Sequence, residues 1–202
     1  GHEQGAGGDD AGEGRRGGRL VIANAGQPTS LDIHQPAGGR TPQLIGWHMF
    51  ETLFTWDAEY ALAPQLAASY EANDEATVHT IKIRQGVPFH NGEIMTADDV
   101  IASLERWGEI SGVGKSLMAA TNELVKVDDH TVEFHLSEPY GTLAIALAHN
   151  TQACVIYPKS VIDAGSLEPL TEFIGTGPYR LVEWRPDAYI RFERFDDYAA
   201  IE

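Results

Sequence analysis

Histidines and paired carboxylates are the side chains of this chain that could bind a metal ion or transfer protons. The sequence has eight histidines, but no two follow the H-x-x-x-H or H-E-x-x-H spacing that places ligands on one helical face. Adjacent acids such as Asp98-Asp99 and Asp128-Asp129 point to opposite sides of an extended segment, so they do not share a proton. These patterns are typical of helix caps and solvated turns, and we predict no metal site and no cofactor.

Nucleophilic side chains show no catalytic pattern either. Cys154 is the only cysteine, which excludes an intramolecular disulfide, and its apolar neighbours are typical of a buried core position. None of the serines lies in a G-x-S-x-G sequence, the turn that exposes the nucleophile of many hydrolases. We therefore predict that the chain is not an enzyme, and a hydrolase is the less favoured alternative.

The composition predicts a folded, acidic protein. Of the 202 residues, 43% are hydrophobic, and 30 acidic against 14 basic residues give a formal net charge of −16. This charge repels a phosphate backbone and anionic lipid, and no apolar run approaches the roughly 20 residues needed to cross a bilayer. We expect neither a nucleic-acid partner nor membrane insertion of this chain.

Local patterns in the first half predict a mixture of helices and strands. Glycine and charged residues over 1–18 predict a flexible leader, and the apolar run after it predicts a buried strand over 19–26. A threonine cap followed by proline predicts a helix over 42–54. Residues 63–70 are typical of a short helical turn, and the alternation over 77–84 predicts a half-exposed strand.

The second half continues the same mixture. A capping-box pattern beginning at Thr96 predicts a helix over 97–107. The rest of the chain predicts a hairpin turning at 128–130, a helix over 140–149 and a second hairpin with strands at 179–184 and 189–195.

Two glycine-containing segments are the most specific patterns in the sequence. The first is G-V-P-F-H-N-G at 86–92, followed by T-A-D-D-V at 96–100, and the second is G-T-G-P-Y at 175–179. Glycine permits unusual backbone angles and close approach of two backbones, and proline fixes φ. Neither segment has the spacing of a phosphate-binding loop. We predict that both act in the architecture and not as contacts to a ligand.

In this order and separation, the segments resemble those of the extracytoplasmic substrate-binding proteins of ABC importers for peptides, nickel complexes and opines, known as family 5. The resemblance runs from about Leu20 to Glu202. It implies an α/β (mixed α and β), periplasmic-binding-protein-like fold, of which this chain is the N-terminal lobe with an inserted small domain and the second lobe is missing. It places 19–39 and 173–202 in the larger mixed-sheet domain and 40–172 in the inserted α+β domain.

The resemblance also implies non-enzymatic capture of a small solute between two lobes. A peptide is the favoured ligand, with a nickel chelate, an opine or a sugar left open. The solute would be delivered to ABC permease subunits, in the periplasm or elsewhere outside the cytoplasmic membrane. The alternative is an interaction or signalling module derived from such a receptor. Because half of the binding site would be missing, we expect weak ligand binding and self-association of the isolated lobe.

The family resemblance implies that ligand contacts lie in loops at the strand ends and on the helix after the first strand. These places contain six candidate residues: Gln27, Thr29, Gln43, Trp47, Asn150 and Gln152. Amide side chains both donate and accept hydrogen bonds, and an indole supplies apolar area, which suits a peptide-like or polyol ligand.

Overall fold

The computed structural model describes residues 17–24, 26–35 and 40–201. Its helices and strands alternate along the chain, which makes the fold a mixed α and β one, as predicted. In chain order the elements are α1 (Arg40–Gly46), β1 (Phe54–Trp56), β2 (Leu62–Pro64), β3 (Ala67–Ala72), β4 (Val78–Ile83), α2 (Ala97–Ile110), α3 (Gly112–Ala120), β5 (Thr121–Asp128), β6 (Thr131–Leu136), α4 (Leu143–Leu147), α5 (Lys159–Gly165), β7 (Tyr179–Arg185) and β8 (Tyr189–Arg194).

The largest sheet has four antiparallel strands in the order β3-β4-β6-β5. Ile81 on β4 faces Val132 on β6 across the sheet, and both are fully buried. Val100, Leu104 and Trp107 of α2 belong to the same apolar core, so the helix covers one face of the sheet. Burial of this alternating apolar set against an amphipathic helix is what makes the sheet stable.

The start of α2 has the predicted capping box. Thr96 accepts a hydrogen bond at its hydroxyl from the backbone of Asp98, and Asp99 accepts one from the backbone N–H of Thr96 at 2.8 Å. The other carboxylate oxygen of Asp99 accepts the backbone N–H of Lys159 at 2.7 Å, which joins the start of α5 to α2. The Thr96–Asp99 segment therefore has the architectural role that its sequence predicts.

The two glycine-containing segments of the sequence meet in one hydrogen-bonded junction. The imidazole of His90 accepts the N–H of Gly175 at Nδ1 (3.2 Å) and donates from Nε2 to the carbonyl of Gly177 (2.9 Å). The backbone N–H of His90 also donates to the carbonyl of Gly175 at 2.9 Å. This pattern requires a neutral ring, and burial lowers the pKa of His90 accordingly.

The glycines of this junction lie against the backbone that follows α1. Gly177 donates its N–H to the carbonyl of Met49 at 2.8 Å, and Tyr179 donates to that of His48 at 3.0 Å. A Cβ atom on Gly177 would lie 2.7 Å from the Met49 oxygen, which is too close for any side chain. Here glycine is required by a close approach of backbones.

The carboxylate of Glu51 extends the same junction toward the end of the chain. It is buried and accepts hydrogen bonds from the hydroxyls of Thr176 (2.7 Å) and Tyr198 (2.9 Å). Burial raises the pKa of Glu51 above its usual value despite these hydrogen bonds. Arg84 donates to the carbonyls of Ala199 and Ala200, so the segment after β8 is held at two points.

A second core contains a buried ion pair between Asp32 and Arg106. The guanidinium donates to both carboxylate oxygens, at 3.1 and 2.6 Å, and both side chains are almost completely buried. Burial alone would raise the pKa of Asp32, but the hydrogen bond and charge of Arg106 outweigh it and keep the pKa below its usual value. The backbone N–H of Leu170 donates to the same carboxylate at 3.0 Å.

This second core joins parts of the chain that the sequence assigns to different domains. Leu31 and Ile33 belong to the predicted larger domain, whereas Phe50 and Tyr157 belong to the predicted insert, and all four pack in one cluster. The division into 19–39 with 173–202 and 40–172 stays a prediction. The predicted leader over 1–18 lies almost entirely outside the described residues.

Three predicted elements differ from the structure. Residues 19–24 form no strand, and Leu20, Val21 and Ile22 are 84%, 74% and 71% exposed, because no described strand pairs with them. The predicted helical turn at 63–70 is instead β2 and β3, fixed by hydrogen bonds from 65–67 to the backbone of Thr52 and Leu53.

The predicted helix over 42–54 is the third difference, because α1 ends at Gly46. The carbonyls of His48 and Met49 accept N–H groups of the G-T-G-P-Y segment. In a continuing helix, these carbonyls would instead accept N–H groups of the helix itself.

In the described ranges no helix combines the length and apolar composition that crossing a membrane requires.

The close approach at Gly177 predicts a local intolerance of side chains. We expect Gly177→Ala to lower the free energy of unfolding by about 1–3 kcal/mol, because its Cβ would overlap the Met49 carbonyl. Gly141→Ala is the matched control, since nothing lies within 4 Å of its Cβ position. Urea titration of both variants measures the difference. Equal stability of the two variants would contradict the close approach.

The buried ion pair predicts a large penalty for removing one partner. Asp32→Ala should lower the free energy of unfolding by about 3–5 kcal/mol, because Arg106 then keeps an uncompensated buried charge. Glu193→Ala breaks the exposed pair with Arg180 and should leave stability close to the wild-type value. Thermal unfolding followed by circular dichroism distinguishes these outcomes, and a wild-type melting curve for Asp32→Ala would refute the assignment.

The fully buried imidazole of His34 predicts a dependence of stability on pH. Burial lowers its pKa from 6.5 to about 4, so the folded state holds it neutral while the unfolded chain binds a proton below pH 6.5. Neutral His34 therefore contributes fully to the free energy of unfolding above pH 6.5. This contribution, on the order of 3 kcal/mol in total, is lost as the pH falls toward 4.

His34→Gln removes the titrating group and keeps a donor for the carbonyl of Val155, which the His34 Nε2 contacts at 2.8 Å. The difference in unfolding free energy between wild type and variant should therefore shrink from pH 7 to pH 4. A difference that stays constant over this range would show that His34 does not titrate on unfolding.

Candidate functional site

Three of the six predicted site residues lie at one turn of the chain, Ala148–Gln152, which follows α4 and is called the 148–152 turn below. Asn150 and Gln152 are part of it. The side-chain amide of Gln43 on α1 donates to the carbonyl of Thr151, which brings the helix to the turn. Trp47 lies one residue after the end of α1, and its backbone N–H donates to the carbonyl of Gln43 at 3.0 Å.

The other two predicted residues lie in the segment before α1. Gln27 pairs with Asp187 in the β7–β8 turn: its amide donates to the carboxylate at 2.8 Å and accepts the Asp187 N–H at 2.7 Å. Thr29 is exposed two residues further along. The hydrogen bonds of Gln27 therefore lead to the β7–β8 hairpin and not to the 148–152 turn.

Three side chains from three different elements hold the carbonyl groups of the 148–152 turn. The indole N–H of Trp56 on β1 donates to Ala148 at 3.0 Å. That of Trp107 on α2 donates to Gln152 at 2.8 Å, and Gln43 donates to Thr151. These hydrogen bonds fix the backbone carbonyls of Ala148, Thr151 and Gln152 in the absence of a ligand.

The turn is also held from within by His149. The Nδ1 atom of this residue accepts the backbone N–H groups of Thr151 (3.3 Å) and Gln152 (3.1 Å). A nitrogen that accepts N–H groups carries no proton itself, so Nδ1 is the acceptor of the ring in this arrangement. The turn has a defined shape because three of its carbonyl groups and the N–H groups of Thr151 and Gln152 are hydrogen-bonded within the protein.

Gln152 has a structural contact in addition to its position in the predicted site. Its side-chain oxygen accepts the hydroxyl of Ser111 and the N–H of Val113, both at 3.1 Å, and so fixes the junction of α2 and α3. The amide of Gln43 is engaged as well. Of the predicted residues at the turn, Asn150 is the exposed one whose side chain is left to meet a ligand, and Trp47, just after α1, is 37% exposed.

Sequence reasoning missed Trp56, Trp107 and His149 as parts of this site. Trp107 is fully buried beneath the turn, and Trp56 is 39% exposed beside it. Their contacts join residues 45 and 92 positions apart, so no local spacing could indicate them. The available signal was composition, because tryptophan with a bound N–H is common where an apolar surface meets polar groups.

Two open cavities lie away from the 148–152 turn. One of about 470 Å³ is bounded by α2, α3 and α5 and contains none of the six predicted residues. Arg106 is in its wall, but its guanidinium is already bonded to Asp32 and to the carbonyls of Ser166 and Glu168. The guanidinium of Arg106 is therefore not left free to bind a ligand in this cavity.

The described residues show no arrangement for metal binding, and the thiol of Cys154 is buried. Over 17–24, 26–35 and 40–201, no three His, Cys, Asp or Glu side chains converge in a way that could hold a metal ion. Burial raises the pKa of the Cys154 thiol well above its usual value, which keeps it protonated and unreactive.

Comparison with known sequences identifies the family. Residues 61–201 match the family model described as bacterial extracellular solute-binding proteins, family 5, middle region, and the chain belongs to this family. It is 31% identical over 180 residues to the glutathione-binding protein GsiB of Pectobacterium atrosepticum, covering 88% of this chain and 34% of that protein. It is 29% identical over 152 residues to a probable peptide ABC transporter periplasmic-binding protein, y4tO, of Sinorhizobium fredii, covering 74% of this chain and 28% of that protein.

Solved structures show the same fold. The periplasmic binding protein AgaA of A. tumefaciens R10, in complex with agropinic acid, superposes with a TM-score of 0.77 at 28% identity, over 87% of this chain and 35% of that one. DppA of Helicobacter pylori, in complex with the peptide STSA, gives a TM-score of 0.74 at 21% identity, over 87% and 38% of the two chains. The fold is that of a periplasmic binding protein, and the chain spans about a third of the length of these relatives.

Proposed function

We propose that the chain is one lobe of the solute-binding component of an ABC importer. The receptor captures a small solute, a peptide by preference, outside the cytoplasmic membrane and delivers it to permease subunits. Family membership supports the class of protein, and the names of the relatives include peptide and glutathione binding. The relatives are binding proteins, which supports a role without catalysis.

The observation that carries the proposal is the preformed 148–152 turn. Side chains from α1, β1 and α2 hold its carbonyl groups, while the side chain of Asn150 is exposed. A rigid turn with an exposed amide is suited to meet a ligand without loss of conformational entropy. The six residues predicted from the sequence stay candidates for contact, with Asn150 and Trp47 the strongest.

Capture by a two-lobed receptor requires a ligand that binds the closed form more tightly than the open form. The chain described here supplies one face of that closed site. Its affinity for a ligand should therefore be much lower than that of a full-length receptor that contains it, because only part of the contact area is present.

Calorimetric titration tests this proposal with glutathione, di- to tetrapeptides and a nickel–histidine chelate as probes. We expect the full-length receptor to bind a peptide at micromolar concentration or tighter, and the 202-residue chain to bind it only at millimolar concentration. Nanomolar binding by the chain alone would contradict the division of the site between two lobes. Failure of the full-length receptor to bind any of these solutes would contradict the proposed function.

A single amide substitution tests the position of the site. In the full-length receptor, Asn150→Ala should weaken peptide binding by about tenfold, the effect of one lost hydrogen bond. Asn122→Ala is the matched control, because Asn122 is an exposed asparagine on β5. Equal affinity of the two variants would place the ligand away from the 148–152 turn.

A further inference from the structure

A groove between three helices lies away from the 148–152 turn. It is the cavity of about 470 Å³ bounded by α2, α3 and α5, and it is called the three-helix groove below. Four apolar side chains line it: Ala102, Met118, Ile162 and Leu167. Leu167 follows α5 and is 49% exposed, so part of this apolar lining is uncovered. An uncovered apolar groove is a candidate surface for another molecule.

The walls of the three-helix groove are held in place by hydrogen bonds within the protein. At the start of α5, the backbone N–H of Lys159 donates to the carboxylate of Asp99 on α2 at 2.7 Å. Just after the end of α5, Arg106 of α2 donates to the carbonyls of Ser166 (2.7 Å) and Glu168 (2.9 Å). The helix α5 is therefore fixed against α2 at both ends. A groove that is formed in advance loses little conformational entropy when a partner docks.

The rim of the groove carries unpaired negative charge. Glu105 and Glu109 on α2 line the groove, both are exposed, and neither forms an ion pair with a described residue. They lie one helical turn apart, where like charges repel each other. The other charged groups of the lining are already paired, Lys159 with Asp163 and Arg106 with its buried carboxylate partner. Two negative charges are therefore left for a partner to neutralise.

The chemistry of the groove defines the partner that fits it. Basic side chains neutralise the two carboxylates, and the apolar stems of Lys and Arg lie along an apolar surface while their charges stay at its edge. An apolar side chain of the same partner covers the exposed part of the lining. The phosphate groups of anionic lipid or nucleic acid are repelled by the carboxylates. A protein segment supplies basic and apolar side chains together at close spacing.

We propose that the three-helix groove is a docking surface for a segment of a partner protein that carries two basic side chains beside an apolar one. The basic side chains pair with Glu105 and Glu109, and the apolar side chain packs between Met118 and Leu167. None of the residues of the 148–152 turn lines the groove, so docking here is independent of the solute that the receptor captures.

Fluorescence polarisation with a labelled basic peptide tests the docking surface on the 202-residue chain. The probe has three repeats of Lys-Ala-Ala-Leu with both termini blocked, which places its lysines four residues apart with a leucine beside each. We expect Glu105→Gln/Glu109→Gln to weaken its binding about tenfold, the effect of two exposed ion pairs. Glu123→Gln/Glu138→Gln is the matched control, because it removes the same charge at exposed residues outside the groove and should leave the affinity unchanged.

Two further probes distinguish a protein segment from a simple cation. A peptide in which alanine replaces the three leucines keeps the charge and should bind about tenfold more weakly, because it has no large apolar side chain to bury. Spermidine supplies positive charge without a branched apolar group, and at equal concentration it should not displace the labelled peptide.

Methyl NMR locates the bound peptide. The chain has three methionines, and methyl-labelled methionine gives one resonance for each, assigned with single Met→Leu variants. Met118 lines the groove, whereas Met49 and Met95 are fully buried and do not. We expect the leucine-containing peptide to shift the resonance of Met118 and to leave the other two in place.

Each result supports or overturns the docking surface. Tighter binding of the leucine peptide than of the alanine peptide, weakened by Glu105→Gln/Glu109→Gln alone and accompanied by a shift of Met118, supports it. Equal effects of the two double variants, equal affinities of the two peptides, displacement by spermidine or an unchanged Met118 resonance overturns it, and so does the absence of binding up to millimolar peptide. Solute capture is measured separately, by calorimetric titration of the full-length receptor, so either proposal can fail while the other stands.

Discussion

The structure depends on the close approach of two backbones, where Gly177 meets the carbonyl of Met49. This contact leaves no space for a side chain on the glycine, and it makes the carbonyls after α1 unavailable for further helix. The length of α1 follows from it, and so does the position of Gln43, which reaches the 148–152 turn. His90 closes the junction from the other side with a neutral ring. The contact between Gly177 and Met49 therefore helps to position the surface where we propose that the ligand binds.

The candidate site is formed by neutral groups in a strongly acidic protein. The formal net charge is −16, and the buried ion pair of Asp32 and Arg106 lies in the second core and makes no hydrogen bond to the turn. The turn itself is held by indole and amide N–H groups, which satisfy its carbonyls without adding charge. Such a surface favours apolar and hydrogen-bonding features of a ligand, and its preformed shape lowers the entropic penalty of binding.

Local patterns in the sequence predicted the local parts of this fold. The capping box at Thr96, the strand β4 and both long hairpins are confirmed, because each is determined by neighbouring residues. The apolar run at 20–23 was misleading, since a strand requires a partner that no described residue supplies. The predicted helical turn at 63–70 was wrong because distant backbone groups of Thr52 and Leu53 drew that segment into strands. Trp56 was missed because its contact with Ala148 joins residues 92 positions apart. Gln43 and Asn150 were predicted from the family resemblance, and the structure brings Gln43 to the turn that contains Asn150.

A crystal structure of the full-length receptor, solved free and with a bound peptide, would show whether this lobe presents a preformed turn to its ligand. We expect residues 148–152 to have the same conformation in both states and the peptide to lie against Asn150. A turn that rearranges on binding, or a peptide bound away from it, would show that the site is not preformed at these residues.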